Sequence, residues 1–432
     1  MMLRGNVEGG VDTPTSEDAE DGQSTTILPE RRAHSALHGA SKFNGQLFGS
    51  TALVLALLVL LSRIVAFWVF DQWDVVNDSG VAIKPLGEPA YLDYSTYKMH
   101  IDSAWHEMLR PLLFFQHAFS DGAEAWAWLH GQSLKPGPIF PGLLNLWGYE
   151  RIRAPLSLAY LLTGCGLGWL WAMFLAWRGM GYWVQALAAC FPALVYYSFL
   201  VSTDLLYAVL MAVFYASAWS VLLRKPGAWI WCMVALTVAL LSRPNALAMV
   251  PVLFVVLAAE STLRWWTKSL WMLIWGFISA YMLIYYLPYF WVHESNSVGT
   301  NYWGIYPDQF HEGLLIGWPQ WLNQSVSLLL LAISKLIYSV GLRPSYAEIS
   351  SWLVVARASP GLLFLPGLFY GLWRGQWFDR VFVFFFLLPV YVGAAQERYL
   401  LAITPLLLLW GIQAYRAVWS QVVLRTWARL TA

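Results

Sequence analysis

DSAWHEMLRP at residues 102–111 and SLKPGPIFP at residues 133–141 open and close one polar stretch between long apolar ones. The apolar run before it, about residues 47 to 70, is long enough to span a bilayer. Arg31, Arg32 and Lys42 precede that run, and Asp71, Asp74 and Asp78 follow it. The positive-inside rule then puts the N-terminus in the cytoplasm and the 102–141 stretch outside. If Met99 to Phe119 is helical, Asp102, Trp105, His106 and Leu109 fall at i, i+3, i+4 and i+7 and share a face. That face carries an acid, an aromatic ring and an imidazole over an apolar base. Asp102 is suited to take a proton from a hydroxyl nucleophile. Lys135 is suited to hold a phosphate as a point charge. The plainer reading is a solvated acid and a solvated lysine. Pro136, Pro138 and Pro141 interrupt any helix at the end of the stretch.

Composition bounds the class. Of 432 residues, 59% are hydrophobic and 12% are charged, about half the charged share of soluble domains. Apolar segments of spanning length follow one another. The expectation is an all-α polytopic membrane protein with roughly ten to twelve transmembrane helices and helical loops outside. A net charge of +1 gives no nucleic-acid footprint. Cys165, Cys190 and Cys232 all lie in apolar spans without metal-ligand spacing and read as small packing residues. The 27 Trp, 22 Tyr and 23 Phe suit interfacial belts, and sugar-stacking surfaces as well.

Residues 1–44 are polar and too poor in apolar side chains to fold, so they read as a disordered cytoplasmic tail without the pattern of a signal peptide. The membrane domain covers 45–418, with outer loops at 71–141 and 292–318, and 419–432 is a short C-terminal tail. Spans are expected at about 154–177, 182–201 and 204–223. Two short apolar pieces follow, about 229–241 and 246–259, joined by Ser242-Arg243-Pro244-Asn245. Further spans are expected at about 270–291, 326–340, 352–373, 381–394 and 399–415. Arg178, Arg224, Lys225, Arg264 and Lys268 mark the cytoplasmic ends.

Three more charged positions border apolar sequence on the outer side. Asp204 opens a helix in STDLLYAVLM and is either an N-cap or part of a site. Arg243, between two apolar pieces, either snorkels to the interface or clamps a phosphate through its guanidinium. Glu397, Arg398 and Tyr399 precede LLAITPLLLLWG, as a local ion pair that ends a helix or as part of the same site.

The layout resembles the GT-C superfamily of integral-membrane glycosyltransferases. It is most similar to the branch of lipid A aminoarabinose transferases and protein O-mannosyltransferases, with GPI mannosyltransferases more distant. The matching pieces are D-x-x-W (Asp102, Trp105), K-P-x-x-x-x-P (Lys135, Pro136, Pro141), T-D-x-L (Thr203, Asp204, Leu206), S-R-P-N (Ser242 to Asn245) and E-R-Y-L-L-x-x-x-P (Glu397 to Pro405). They follow the family's order over about residues 45 to 415. The family's loop motif has two adjacent prolines, whereas Gly137 here separates Pro136 from Pro138.

The resemblance implies an inverting transferase that moves a sugar from a polyprenyl-phosphate donor to a glycan, lipid or protein acceptor outside the cytoplasm. High Ala, Leu and Trp with little Lys suggest a bacterial inner membrane, with the endoplasmic reticulum as the alternative. Asp102 would be the base, with Glu107, Asp204 and His106 in reserve. Lys135, Arg243 and Arg398 would stabilise the charge on the departing phosphate. One base without a second carboxylate nucleophile implies inversion, by analogy with inverting glycosidases. A divalent metal is compatible with this chemistry, but no ligand spacing calls for one. A polymerase or ligase of lipid-linked glycans is the alternative enzyme. A transporter or flippase fits less well, because the charges sit at span ends rather than at mid-membrane.

Overall fold

The computed structural model describes residues 45–72, 108–130, 137–139, 141–142, 149–200, 203–296, 317–342, 351–392 and 397–430. The chain divides into units Met1–Gly49 and Ser50–Ala432, and the packing below lies within the second. The helices are α1 (Gly45–Gln72), α2 (Arg110–Ser120), α3 (Gly122–His130), α4 (Tyr149–Trp177), α5 (Tyr182–Ala189), α6 (Pro192–Tyr197), α7 (Thr203–Leu222) and α8 (Ala228–Ser242). A 3-10 turn, Pro244–Met249, leads to α9 (Val250–Ala259) and α10 (Trp265–Asn296). Then come α11 (Gln320–Ser339), α12 (Ser351–Arg374), α13 (Trp377–Val392), a 3-10 segment Glu397–Ile403 and α14 (Thr404–Leu430).

Among the described residues there is no strand. Five helical stretches there are long and apolar enough to cross a membrane: Thr51–Val69, Leu158–Trp177, Thr203–Leu222, Trp265–Pro288 and Tyr399–Gln421. The chain is therefore an all-α membrane protein.

Proline decides where the apolar runs break. The run expected as one span over 182–201 divides into α5 and α6, because Pro192 has no N–H to continue the ladder. Pro244 likewise stops α8 at Ser242, and helix resumes through the 3-10 turn into α9. Of the helix expected over Met99 to Phe119, residues 99–107 lie outside the described residues, and the described part is a helix from Arg110, with Leu109 at its cap and Pro111 in its first turn. Asp102, Trp105 and His106 of the expected face lie outside the described residues, and Leu109 caps the described helix.

α7 and α8 form an antiparallel hairpin around the turn 223–227, where Gly227 takes a left-handed φ of 74°. Cys232 Sγ lies 3.9 Å from the Phe214 carbonyl oxygen, which sets the hairpin's register. α13 packs along α7 in the opposite direction. Its Phe378, Phe382 and Phe386 sit one helical turn apart and meet Tyr215, Phe214 and Tyr207 at centroid distances of 5.8, 6.3 and 5.9 Å. α12 and α14 approach closely through small residues. A Cβ on Gly371 would enter the indole ring of Trp410.

α1 shows mostly apolar surface, with Leu53, Leu57, Leu61 and Ile64 exposed. Its inward stripe is Leu55, Val59, Arg63 and Ala66. Arg63 is buried and donates from Nη1 to the Ala189 carbonyl at 2.7 Å and from Nη2 to the Gly164 carbonyl at 3.1 Å. Ala189 is the last residue of α5, where the helix dipole is negative and carbonyls lack helical partners. Among the described residues Arg63 has no carboxylate partner; backbone oxygens solvate its charge.

Contacts separate two ends of the bundle. At one end, Arg178 pairs with Asp379 and donates to Gln376 Oε1 at 2.8 Å. Its guanidinium lies 5.8 Å from the Trp219 ring near the end of α7. Trp229 at the start of α8 meets Trp271 near the start of α10 at 5.7 Å. At the other end are Asp204, Arg243 and the α2–α3 pair. Phe114, Ala125 and Leu129 of that pair form a small core with Ile284 and Leu287 of α10.

Cysteines introduced at the exposed positions Ser120 and Ser261 are expected to react with an impermeant maleimide from opposite faces of sealed vesicles. Labelling of both from one face would overturn this two-ended arrangement. Arg63→Met leaves the Ala189 and Gly164 carbonyls without their donor, and a charged hydrogen bond contributes about 1.5–3 kcal/mol. A lowered unfolding midpoint in detergent is expected, and an unchanged midpoint would show that Arg63 does not anchor α1.

Candidate functional site

The hairpin register leads directly to the site. Stepping eleven residues along both helices from the Cys232–Phe214 contact reaches Arg243 and Thr203. The Arg243 guanidinium pairs with the Asp204 carboxylate there. Both residues are buried. Asp204 lies in the first turn of α7, and Arg243 is the last residue whose N–H bonds back into α8, to Ala239 at 2.8 Å. An acid at a helix start and a cation at a helix end both suit the helix dipoles.

Arg243 has extended backbone, φ −151° and ψ 142°, between α8 and the 3-10 turn. Its guanidinium carbon sits 4.9 Å from the ring centroid of Tyr399, a cation–π contact. The 3-10 segment Glu397–Ile403 carries Tyr399 onto the α7 end. Tyr207, one turn after Asp204, stands within electrostatic reach of Arg243 and stacks on Phe386.

The carbonyls left over at the end of α8 are also covered. Tyr286 of α10 donates to the Leu240 carbonyl at 2.7 Å. Gly137 packs against the Leu241 and Ser242 carbonyls, so closely that a Cβ there would collide with both. This contact accounts for the glycine between Pro136 and Pro138. Close by, Arg110 donates to the Tyr285 carbonyl at 3.3 Å and lies over the Tyr285 ring, while the Tyr281 hydroxyl donates to the Met108 carbonyl. The described ends of the 102–141 stretch are therefore fastened to α8 and α10.

Three sequence candidates, Asp204, Arg243 and Tyr399, come together. Two readings made from sequence change with them. Asp204 sits inside the first turn rather than at the cap, and its carboxylate serves Arg243. Arg243 does not snorkel to the interface, because Asp204 and Tyr399 enclose it. Asp102, Trp105, His106, Glu107 and Lys135 lie outside the described residues, as do the side chains of Glu397 and Arg398. Tyr207, Arg110 and Tyr286 were missed. Tyr207 was within reach, three residues after Asp204 on the same face; Arg110 and Tyr286 have no local signal. No group of three or more His, Cys, Asp or Glu suited to a metal occurs among the described residues.

Comparison of the chain with known protein families, curated proteins and solved structures finds no match.

Breaking a buried ion pair from one side costs about 3–5 kcal/mol, while replacing both partners with apolar side chains is often close to neutral. Asp204→Leu and Arg243→Met should therefore each lower the unfolding midpoint strongly, and the double variant should recover most of the loss. Additive losses in this cycle, measured by thermal unfolding in detergent, would show that the two residues do not act as a pair. Asp204→Asn should also be costly, because an amide caps a helix but does not neutralise Arg243.

Proposed function

We propose that the protein is a membrane glycosyltransferase of GT-C type that transfers a sugar from a polyprenyl-phosphate donor to an acceptor hydroxyl outside the cytoplasm, with inversion. The observation that carries this reading is the meeting of Asp204, Arg243 and Tyr399 with Gly137 at one end of the bundle. Asp204, Arg243 and Tyr399 come from three separate motifs of the family's pattern, and Gly137 lies in the loop stretch of a fourth, where this chain departs from that pattern. A donor whose tail lies in the bilayer and whose phosphate lies at its edge would bring its headgroup to such an end.

In this reading the acceptor oxygen attacks the anomeric carbon as the bond to the phosphate oxygen breaks. The electron pair leaves with the phosphate, and Asp102 takes the acceptor proton. Lys135 and Arg398 carry cationic charge to the departing phosphate. Arg243 joins them while still bound to Asp204, so its part of the site is fixed before the donor arrives. Such preorganised charge stabilises a developing anion without reorganisation during the reaction. The aromatic faces of Tyr399 and Tyr207 offer stacking surface beside the charges.

The test is transfer from a radiolabelled polyprenyl-phosphate sugar by purified protein in nanodiscs. Asp102→Asn should slow turnover by about 10²- to 10⁴-fold, the usual cost of losing a general base, with donor binding kept. Lys135→Ala should weaken donor binding or slow transfer by about tenfold to a hundredfold, the equivalent of one charged hydrogen bond. No transfer from any polyprenyl-phosphate sugar by the wild-type protein, or wild-type turnover in Asp102→Asn, would sink the assignment.

A further inference from the structure

The end of the bundle away from Asp204 carries a second feature, in four turns. They are residues 178–181, 223–227, 260–264 and 374–376. Side-chain contacts hold them at one level. Arg178 reaches Gln376 and Asp379 from the α4–α5 turn and lies beside Trp219 of α7. Trp229 meets Trp271, and Lys268 Nζ donates to the Ala258 carbonyl at 2.8 Å, which ties the starts of α8 and α10 to the end of α9.

The charges that these turns show to solvent have one sign. Arg224, Lys225, Arg264 and Arg374 are exposed. The acids nearby are buried and engaged inward. Glu260 accepts through Oε1 from the Thr262 backbone N–H and hydroxyl, each at 2.8 Å. Asp379 accepts from Arg178 and from the Tyr215 hydroxyl. Arg224 takes a left-handed φ of 59°, alone among the described non-glycine residues, a conformation that costs energy in an ordinary side chain.

Exposed indoles stand beside the charges. Trp183, Trp265 and Trp373 are 84%, 78% and 77% exposed, and Trp231 and Trp266 are exposed too. Indole settles at the headgroup level of a bilayer, with its ring in the apolar edge and its N–H toward water. Guanidinium and ammonium groups next to it meet lipid phosphates. A soluble partner would have to cover these indoles on several helices at once, whereas a leaflet surrounds all of them.

We infer that this end is a binding surface for anionic phospholipid headgroups of the leaflet that it meets. Each Lys or Arg near an anionic surface favours binding by about fivefold, and salt screens the effect. The inference is independent of the transfer chemistry at the other end.

The probe is phosphatidylglycerol against phosphatidylcholine, offered in equal amounts to the full chain in mixed nanodiscs, with retained lipid counted by native mass spectrometry. Wild-type protein should retain phosphatidylglycerol at least about tenfold in preference, less so at high salt. Arg224→Gln combined with Lys225→Gln, Arg264→Gln and Arg374→Gln should bring the ratio close to one. If that variant does not fold, the pairs Arg224→Gln/Lys225→Gln and Arg264→Gln/Arg374→Gln should each lose a several-fold part of the preference. Equal retention of the two lipids by the wild type overturns the inference. So does a preference that folded variants keep in full.

Discussion

A polar backbone group inside a bilayer has to be satisfied by the protein itself, and the helix breaks of this chain are arranged around that need. Several prolines end apolar helices or lie within them, among them Pro192 after α5, Pro244 after α8, Pro288 within α10, Pro360 and Pro366 within α12 and Pro389 within α13. At the first three, a carbonyl near the proline accepts from a polar side chain distant in sequence. Arg63 reaches Ala189, Tyr286 reaches Leu240, and Arg110 reaches Tyr285 one turn before Pro288. Two of the three donors are arginines buried within the protein. Arg63 bonds a carbonyl at the end of α5 and another within α4, and Arg110 bonds a carbonyl of α10 close to Pro288.

The same constraint governs the ion pairs. Asp204 and Arg243 lie at one end of the α7–α8 hairpin, and Arg178 and Asp379 lie near the other. An unpaired charge at either position would carry a desolvation cost of several kcal/mol. Pairing removes most of that cost and fixes geometry at the same time. Arg243 is bound on one side by Asp204 and covered by Tyr399. A ligand phosphate would thus meet an arginine already held in place and partly neutralised. Orientation would then be its main contribution, and most of the net positive charge would have to come from other residues.

Local signals made part of this legible in the sequence. The break at Ser242 to Pro244 could be read from one proline between apolar runs, and the start of α7 from Thr203-Asp204. The partnership of Asp204 and Arg243 was also within reach. A five-residue turn between two apolar helices makes a hairpin, and its register brings residue 243 level with 203. The break at Pro192 was missed because apolar character continues through it. Arg178 and Asp379, some two hundred positions apart, could not be paired from sequence, since no local pattern records which distant helices will be neighbours. The partners of Arg63 are backbone carbonyls, which leave no trace in residue type.

Gly137 shows how the scaffold and the loop that bears the expected chemistry are joined. Its missing side chain lets the backbone at residue 137 lie directly on the carbonyls that end α8. The next residue in that chain is Arg243. Lys135 stands two positions before Gly137, and Arg110, fastened to α10, stands eight positions after Asp102. Both ends of the loop are thereby tied within a few residues of the candidate base and the candidate phosphate ligand. Loops gain functional precision from the rigid elements that hold them. In this chain the holding elements are a helix end that had to be covered and an ion pair that had to be enclosed. The requirements of an apolar surrounding therefore place a buried ion pair and a covered helix end beside the described ends of the loop.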